Sequence, residues 1–186
     1  MISHGDMKLI NDFPSSYVVD VDPGWPMRGE EEISLLAYHK LHMHTGEFCN
    51  IRFYVEKGAS WIGRFELGER GGDFENSILT APSPDQACVI SSGAGYWVDV
   101  KGKQVTQIEC LPITQAVATT KHSSIIIATW RDLYAYSSAN ASWSLRDLAD
   151  DRLRIDRIDQ DILTAVGFTM GEMTEMHIDL LTGQVI

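Results

Sequence analysis

Histidines crowd one short stretch of the 186-residue sequence, which has six histidines in all. His39, His42 and His44 fall within residues 38–44. On an extended strand, side chains two positions apart share a face and their Cα atoms lie about 7 Å apart, so His42 and His44 could ligate one divalent metal ion. A third ligand must come from elsewhere, and the favoured interpretation is that these are exposed or hydrogen-bonded histidines on a sheet.

Carboxylates form the other clusters with metal-binding chemistry. Asp20 and Asp22 precede a Pro-Gly turn, but the alternating oxygen ligands and distal glutamate of a calcium loop are missing, so we expect a solvated turn. Residues 146–161 interleave aspartates with arginines. This pattern favours charge-paired turns around an exposed strand.

Signatures of common catalytic machinery are absent from the sequence. Gly63 and Gly68 are spaced like the start of a phosphate-binding loop, but Glu69 stands where the lysine is required. Neither a GxSxG nucleophile elbow nor an HExxH helix occurs. The sequence therefore indicates no reaction class and no cofactor.

Charge composition narrows the choice of partner. Fifteen Lys and Arg residues against 26 Asp and Glu residues give a net charge of −11. A nucleic-acid backbone or an anionic membrane would be repelled by such a surface. We expect instead a non-catalytic interaction protein whose acidic surface binds, and in doing so neutralises, a basic protein partner. The alternative is a small metal-dependent enzyme built on His39, His42 and His44.

The residues predicted to carry this binding are of two kinds. The acidic stretch supplies charge, and aromatic side chains beside turns supply anchors of the type enriched in interface hot spots. The candidates are Glu30, Glu31, Glu32, Trp25, Tyr96 and Trp143. By contrast, Trp61, Trp97 and Trp130 lie within apolar runs and are expected to pack in the core.

Alternation of apolar and polar residues at period two predicts a chain of short antiparallel strands broken by turns. The predicted strands are 17–21, 48–55, 61–67, 87–91, 96–100, 125–130, 133–136, 152–158, 162–168 and 176–181. Residues 30–44 fit either a helix or a strand, and we favour the strand because its neighbours are strands. Residues 144–149 weakly indicate a helix. The fold class expected is all-β, with antiparallel sheets in a β-sandwich or open barrel.

A spacing of 37 residues supports an alternative to the sandwich. Apolar strand starts fall at Ile51, Cys88, Ile125 and Ile162, each 37 residues after the last. A repeat of this length in an all-β chain is typical of propeller blades. Residues 178–185 also resemble the closing strand and turn of a blade in quinoprotein-like propellers, which implies a small propeller-like repeat.

Three cysteines, Cys49, Cys88 and Cys110, lie too far apart for a CxxC site and are expected to be reduced core thiols.

Residues 1–8 lack the basic start and apolar core of a signal peptide, and no apolar run reaches the ~20 residues of a membrane span. We therefore expect a cytoplasmic protein. No linker divides the chain, so residues 1–186 are predicted to form a single β-rich domain.

Overall fold

The computed structural model describes residues 7–35, 46–55, 60–68 and 74–186. Throughout these residues the regular structure is β-strand, which confirms the all-β prediction. In chain order the strands are β1 (Lys8–Ile10), β2 (Tyr17–Val21), β3 (Glu31–Leu35), β4 (Phe48–Val55), β5 (Trp61–Glu66), β6 (Ser77–Thr80), β7 (Gln86–Ser91), β8 (Ala94–Asp99), β9 (Gln104–Gln107), β10 (Gln115–Thr119), β11 (Ser124–Ala128), β12 (Leu133–Tyr136), β13 (Ala141–Leu145), β14 (Asp151–Asp159), β15 (Ile162–Thr169), β16 (Glu172–Asp179) and β17 (Gln184–Val185).

These strands form four sheets, which follow one another along the chain except that β1 belongs to the second sheet. The first sheet has the order β2-β4-β5-β3, and the second has the order β1-β6-β7-β8-β9. The third and fourth are simple meanders, β10-β11-β12-β13 and β14-β15-β16-β17. Pairing is antiparallel except for β3 with β5 and β1 with β6, which are parallel. None of the four described sheets closes into a barrel.

Successive sheets pack face to face, as in a sandwich, with one apolar layer between each pair. The first layer joins the first and second sheets, the next joins the second and third, and the last joins the third and fourth. On β11, Ile125 and Ile127 face the second sheet, whereas Ile126 and Ala128 face the fourth. The inner strands are therefore buried on both faces, which explains their continuous apolar runs.

The 37-residue spacing coincides with equivalent strands. Ile51, Cys88, Ile125 and Ile162 lie in β4, β7, β11 and β15 respectively. Each of these strands is paired antiparallel with the strand that follows it in its sheet. The four sheets do not all share one strand order and pack as a β-sandwich-like all-β fold, so the propeller-like repeat stays a prediction. Strand β17 and the turn before it form the closing hairpin of the last sheet.

Most predicted strands lie within two or three residues of observed ones, and the segment from Glu31 to Leu35 is a strand, as favoured. Residues 36–45 lie outside the described part of the chain. The weak helix prediction for 144–149 is wrong. Strand β13 continues to Leu145 there, because Trp143 and Leu145 pack in the layer between the third and fourth sheets.

The predicted core residues divide unevenly. Trp61 and Trp97 are buried, but Trp130 is 45% exposed, with its ring tilted against that of Phe74 at 5.8 Å between centroids, so its core assignment is wrong. The cysteines are buried and free, as expected. Burial raises the pKa of the Cys49 and Cys110 thiols to about 12 and raises that of Cys88 further. Buried thiols of this kind are inert.

Polar side chains connect neighbouring sheets across these apolar layers. The Tyr96 hydroxyl donates to the Glu66 carbonyl at 2.9 Å, which ties the second sheet to the first. The Gln115 amide bridges the third and fourth sheets, donating to the Ile155 carbonyl at 3.1 Å and accepting from the Ile155 N–H at 2.8 Å.

In the described residues no helix is long and apolar enough to cross a membrane.

Candidate functional site

One connection of the fold crosses a sheet instead of turning at its end. Residues 22–30, here called the strap, link β2 at one edge of the first sheet to β3 at the opposite edge. Strand β2 runs parallel to β3, because β2 is antiparallel to β4, β4 is antiparallel to β5, and β5 is parallel to β3. The strap must therefore cross the sheet. It lies over the face that points away from the second sheet, because it contacts Arg52, whose neighbours Ile51 and Phe53 face the second sheet.

Arg52, in the middle of β4, holds the strap against the sheet. Its side chain is only 6% exposed and forms a bidentate pair with Glu30, at 2.8 Å from Nε to Oε1 and 3.1 Å from Nη2 to Oε2. The same guanidinium donates to the backbone carbonyls of Trp25 at 3.0 Å and Pro23 at 3.3 Å. One buried cation thus anchors three points of the strap, a geometry that the planar guanidinium fork suits well.

Electrostatics reinforce this anchor. Burial by itself would raise the pKa of Glu30, but hydrogen bonds from Arg52 and from the Met27 N–H outweigh it and leave that pKa below its ordinary value. The bond to Glu30, in turn, raises the pKa of Arg52 despite its burial. A local turn closes the strap end, with the Met27 N–H donating to Glu30 Oε2 at 2.8 Å and the Glu30 N–H to the Met27 carbonyl at 3.0 Å.

The anchored strap carries an unusually exposed aromatic side chain. Trp25 is 92% exposed and Met27 is 51% exposed. On the sheet beside them, Val18 is 68% exposed and lies opposite Tyr54, which is 39% exposed, in the β2–β4 pair. Apolar side chains from the strap and from two strands therefore share one outward surface. Together with the exposed carboxylates that border it, we call this surface the strap face, made up of Val18, Asp20, Asp22, Trp25, Met27 and Tyr54.

A pocket of about 360 Å³ opens between the strap and the sheet. Its strap side consists of Gly24, Trp25 and Pro26, and its sheet side of Glu32, Asn50, Ile62 and Arg64. The Arg64 guanidinium lies over the Phe48 ring at 4.7 Å from its centroid and donates to Glu32 Oε1 at 3.2 Å. Asn50 Oδ1 is shielded from solvent and has no hydrogen-bond partner among the described residues.

The structure brings the predicted acidic stretch and Trp25 together, but each glutamate has a cationic partner. Glu30 is paired with Arg52, Glu31 with Lys103 at 2.6 Å, and Glu32 with Arg64. The three glutamates are therefore not a free acidic patch. The exposed carboxylates closest to Trp25 along the chain are Asp20 and Asp22, which the sequence analysis assigned to a turn. Asp20 is half-exposed and lies 3.7 Å from Arg52 Nη1, so its charge is partly compensated by the same guanidinium.

The two other predicted anchors make contacts within the fold. Tyr96 is 1% exposed, because in β8 it points into the layer between the first and second sheets. Trp143 is half-buried, its indole N–H donates to the Leu180 carbonyl at 3.0 Å, and its ring packs on Gly183. The prediction of an exposed anchor is wrong for Tyr96, because its ring is buried between two sheets. Trp143 remains partly exposed, and its role as an anchor stays a prediction.

The histidine cluster at His39, His42 and His44 lies outside the described residues. Of the described histidines, His122 contacts Asp161 at 3.0 Å and His177 lies 3.4 Å from Glu175. Within the described ranges, no three histidine, cysteine or acidic side chains are grouped so as to hold a metal ion. The metal-site alternative at His39, His42 and His44 therefore stays a prediction.

Arg52 is the residue that sequence reasoning missed. A single arginine between the apolar Ile51 and Phe53 was a detectable signal, because a charged side chain in a buried strand needs a partner. No family model and no curated protein matches this chain.

Proposed function

We propose that the protein is a non-catalytic interaction module that binds a basic protein partner through the strap face. The observation that carries the proposal is the contrast between Trp25 and its backbone. The side chain is 92% exposed, whereas its carbonyl is held by a guanidinium that is itself 6% exposed. A fixed backbone that presents an exposed indole fits the description of an interface anchor.

The anchoring makes Trp25 well suited to binding. Association costs free energy to order side chains and loops, and a segment already held by several contacts pays less of that cost. Burying one indole removes 150–250 Å² of mostly apolar surface from water, roughly 4–6 kcal/mol before ordering costs are subtracted. Met27, Val18 and Tyr54 extend the apolar contact area around it.

Charge supports a basic partner over an acidic one. Asp20 and Asp22 are exposed beside the apolar surface, and the whole chain carries a charge of −11. The one exposed cation of the strap is Arg28. Such a field accelerates encounter with a positively charged protein, whereas the apolar contacts determine how long the complex lasts.

Affinity capture from the native extract, followed by purification of the captured protein, tests the proposal. We expect a basic protein that forms a defined complex with the wild-type chain and binds the Trp25→Ala variant at least tenfold more weakly. Met170→Ala is the matched control, because Met170 is 94% exposed but lies in the β15–β16 turn of the fourth sheet. Equal loss of binding in both variants would contradict the strap-face assignment.

Salt dependence tests the electrostatic part separately. The double variant Asp20→Asn, Asp22→Asn is expected to slow association and flatten its dependence on ionic strength, because exposed charges are screened over about 8–10 Å near physiological salt. The control is Asp159→Asn, Glu172→Gln, which removes the same charge from the fourth sheet. A complex whose association rate is insensitive to salt would refute the proposal.

A further inference from the structure

We infer that the pocket under the strap receives a guanidinium side chain, so that an arginine of the basic partner is recognised there. This inference rests on the proposed function and specifies its chemistry. The pocket, at about 360 Å³, is large enough for one arginine side chain, and it lies directly beside the exposed Trp25.

The acceptors in the pocket wall match a guanidinium. Glu32 uses Oε1 for Arg64, and among the described residues no hydrogen bond or ion pair is formed by its Oε2. A carboxylate has two oxygens with about four acceptor positions, and a single glutamate can hold two guanidinium groups at once. Asn50 contributes an amide whose Oδ1 has no donor among the described residues. An arginine brings five N–H donors in a fixed fork, enough for both groups.

The rest of the pocket suits the aliphatic part of the same side chain. Ile62 supplies apolar surface from the sheet, and Pro26 and the Trp25 indole supply it from the strap. Arginine buries its methylenes on such surfaces while its charged end remains solvated or paired. An indole face near a guanidinium adds a cation–π attraction, for which tryptophan is the best partner.

Removing the charge of Arg64 should change ligand affinity in a direction that depends on the charge of the ligand. It lines the pocket as a cation, so it repels an incoming guanidinium and competes for Glu32. An anionic ligand would instead use Arg64 as its main partner, and a neutral polar ligand such as a sugar would use Arg64 and Glu32 equally. Removing the Arg64 charge therefore strengthens binding only if the ligand is cationic.

The experiment titrates the full-length protein with N-acetyl-L-arginine amide and follows the Trp25 indole N–H resonance by two-dimensional NMR. N-acetyl-L-citrulline amide is the matched probe, since it has nearly the same shape without the charge. We expect saturable shifts with the arginine probe only. Glu32→Gln should weaken this binding about tenfold, and Arg64→Met, which keeps the aliphatic stem over Phe48, should strengthen it about threefold.

Two results would overturn the inference. In the first, the arginine and citrulline probes bind equally well, or neither of them binds. In the second, arginine binding is weaker in Arg64→Met, provided that its spectrum shows a folded protein. Either result leaves the proposed function standing if Trp25→Ala still weakens the complex with the basic partner. If the arginine probe binds as expected but no basic protein partner binds through Trp25, the proposed function is refuted instead.

Discussion

Replacing Trp25 by alanine should weaken partner binding with little effect on stability, whereas replacing Tyr96 by alanine should lower the stability of the fold. Trp25 is 92% exposed, so folding buries only about 8% of a side chain of ~250 Å², or about 20 Å². At about 25 cal/mol per Å², Trp25→Ala costs roughly 0.5 kcal/mol of unfolding free energy. The strap backbone keeps its hydrogen bonds to Arg52, which involve the Trp25 carbonyl and not its ring.

Tyr96 lies at the other extreme. Its ring is 1% exposed, contacts Phe65 with centroids 5.2 Å apart, and carries the hydroxyl that donates to the Glu66 carbonyl. Truncating a fully buried aromatic side chain to alanine costs about 3–5 kcal/mol, because a cavity remains. For a domain of this length, that loss lowers the Tm by roughly 10 °C.

Urea unfolding followed by far-UV circular dichroism measures both effects without depending on tryptophan fluorescence. We expect Trp25→Ala to unfold within about 0.5 kcal/mol of the wild type and to lose the partner, and Tyr96→Ala to be about 3–5 kcal/mol less stable. Tyr96→Phe, which removes only the hydroxyl, should lose about 1 kcal/mol and bind normally when folded. The reasoning fails if Trp25→Ala is destabilised by more than about 2 kcal/mol, since that ring would then contribute to the core.

Three further predictions concern the anchors and the core. Gln115→Leu leaves the N–H and carbonyl of Ile155 without their side-chain partner and should cost about 2–4 kcal/mol in urea unfolding; a loss under 0.5 kcal/mol would show that the bridge does not stabilise the fold. The Glu30 pKa is lowered on folding, so its contribution to stability is present above its ordinary pKa of 4.5 and is lost as the pH falls through the folded value. The difference in urea midpoint between wild type and Glu30→Gln should therefore shrink between pH 7 and pH 3, and a constant difference would disprove that origin. Finally, the buried thiols should not react with a thiol-specific reagent at pH 8 until the protein is unfolded in urea, when all three react; rapid reaction of the folded protein would contradict their burial.

The strands were predictable where burial imposes a simple pattern. β11 shows this best, because both of its faces are covered and its short apolar run, Ile125-Ile126-Ile127, is β-branched throughout, which favours a buried strand over a buried helix. The segment 144–149 failed for the opposite reason. Its local sequence tolerates a helix, but a helix of that length is marginal in water, and the packing of Trp143 and Leu145 on the fourth sheet stabilises a strand instead.

The site was predictable only in part, because exposure depends on the layers on either side of a strand. Trp25 follows a Pro-Gly pair and is exposed as expected. Tyr96 also follows a glycine turn, but β8 begins at Ala94, so Tyr96 already lies inside the sheet and faces the first sheet. Arg52 could be recognised as a buried charge, but its partners lie 22 to 29 residues away along the chain. Such distant pairing is a property of the folded topology.

The position of strand β1 affects the order in which the four sheets unfold locally. It pairs with β6, and Phe13 donates its N–H to Thr80 Oγ1, 67 positions further along the chain. The first sheet lies between these attachment points in sequence, so it is joined to the second sheet at both of its ends. The fourth sheet is joined to the third by residues 146–150, by the Gln115 bridge and by the apolar layer between them, but all its described strands come from one continuous stretch of chain. Local opening should therefore begin at the fourth sheet, whereas the first two sheets open together as one cooperative unit.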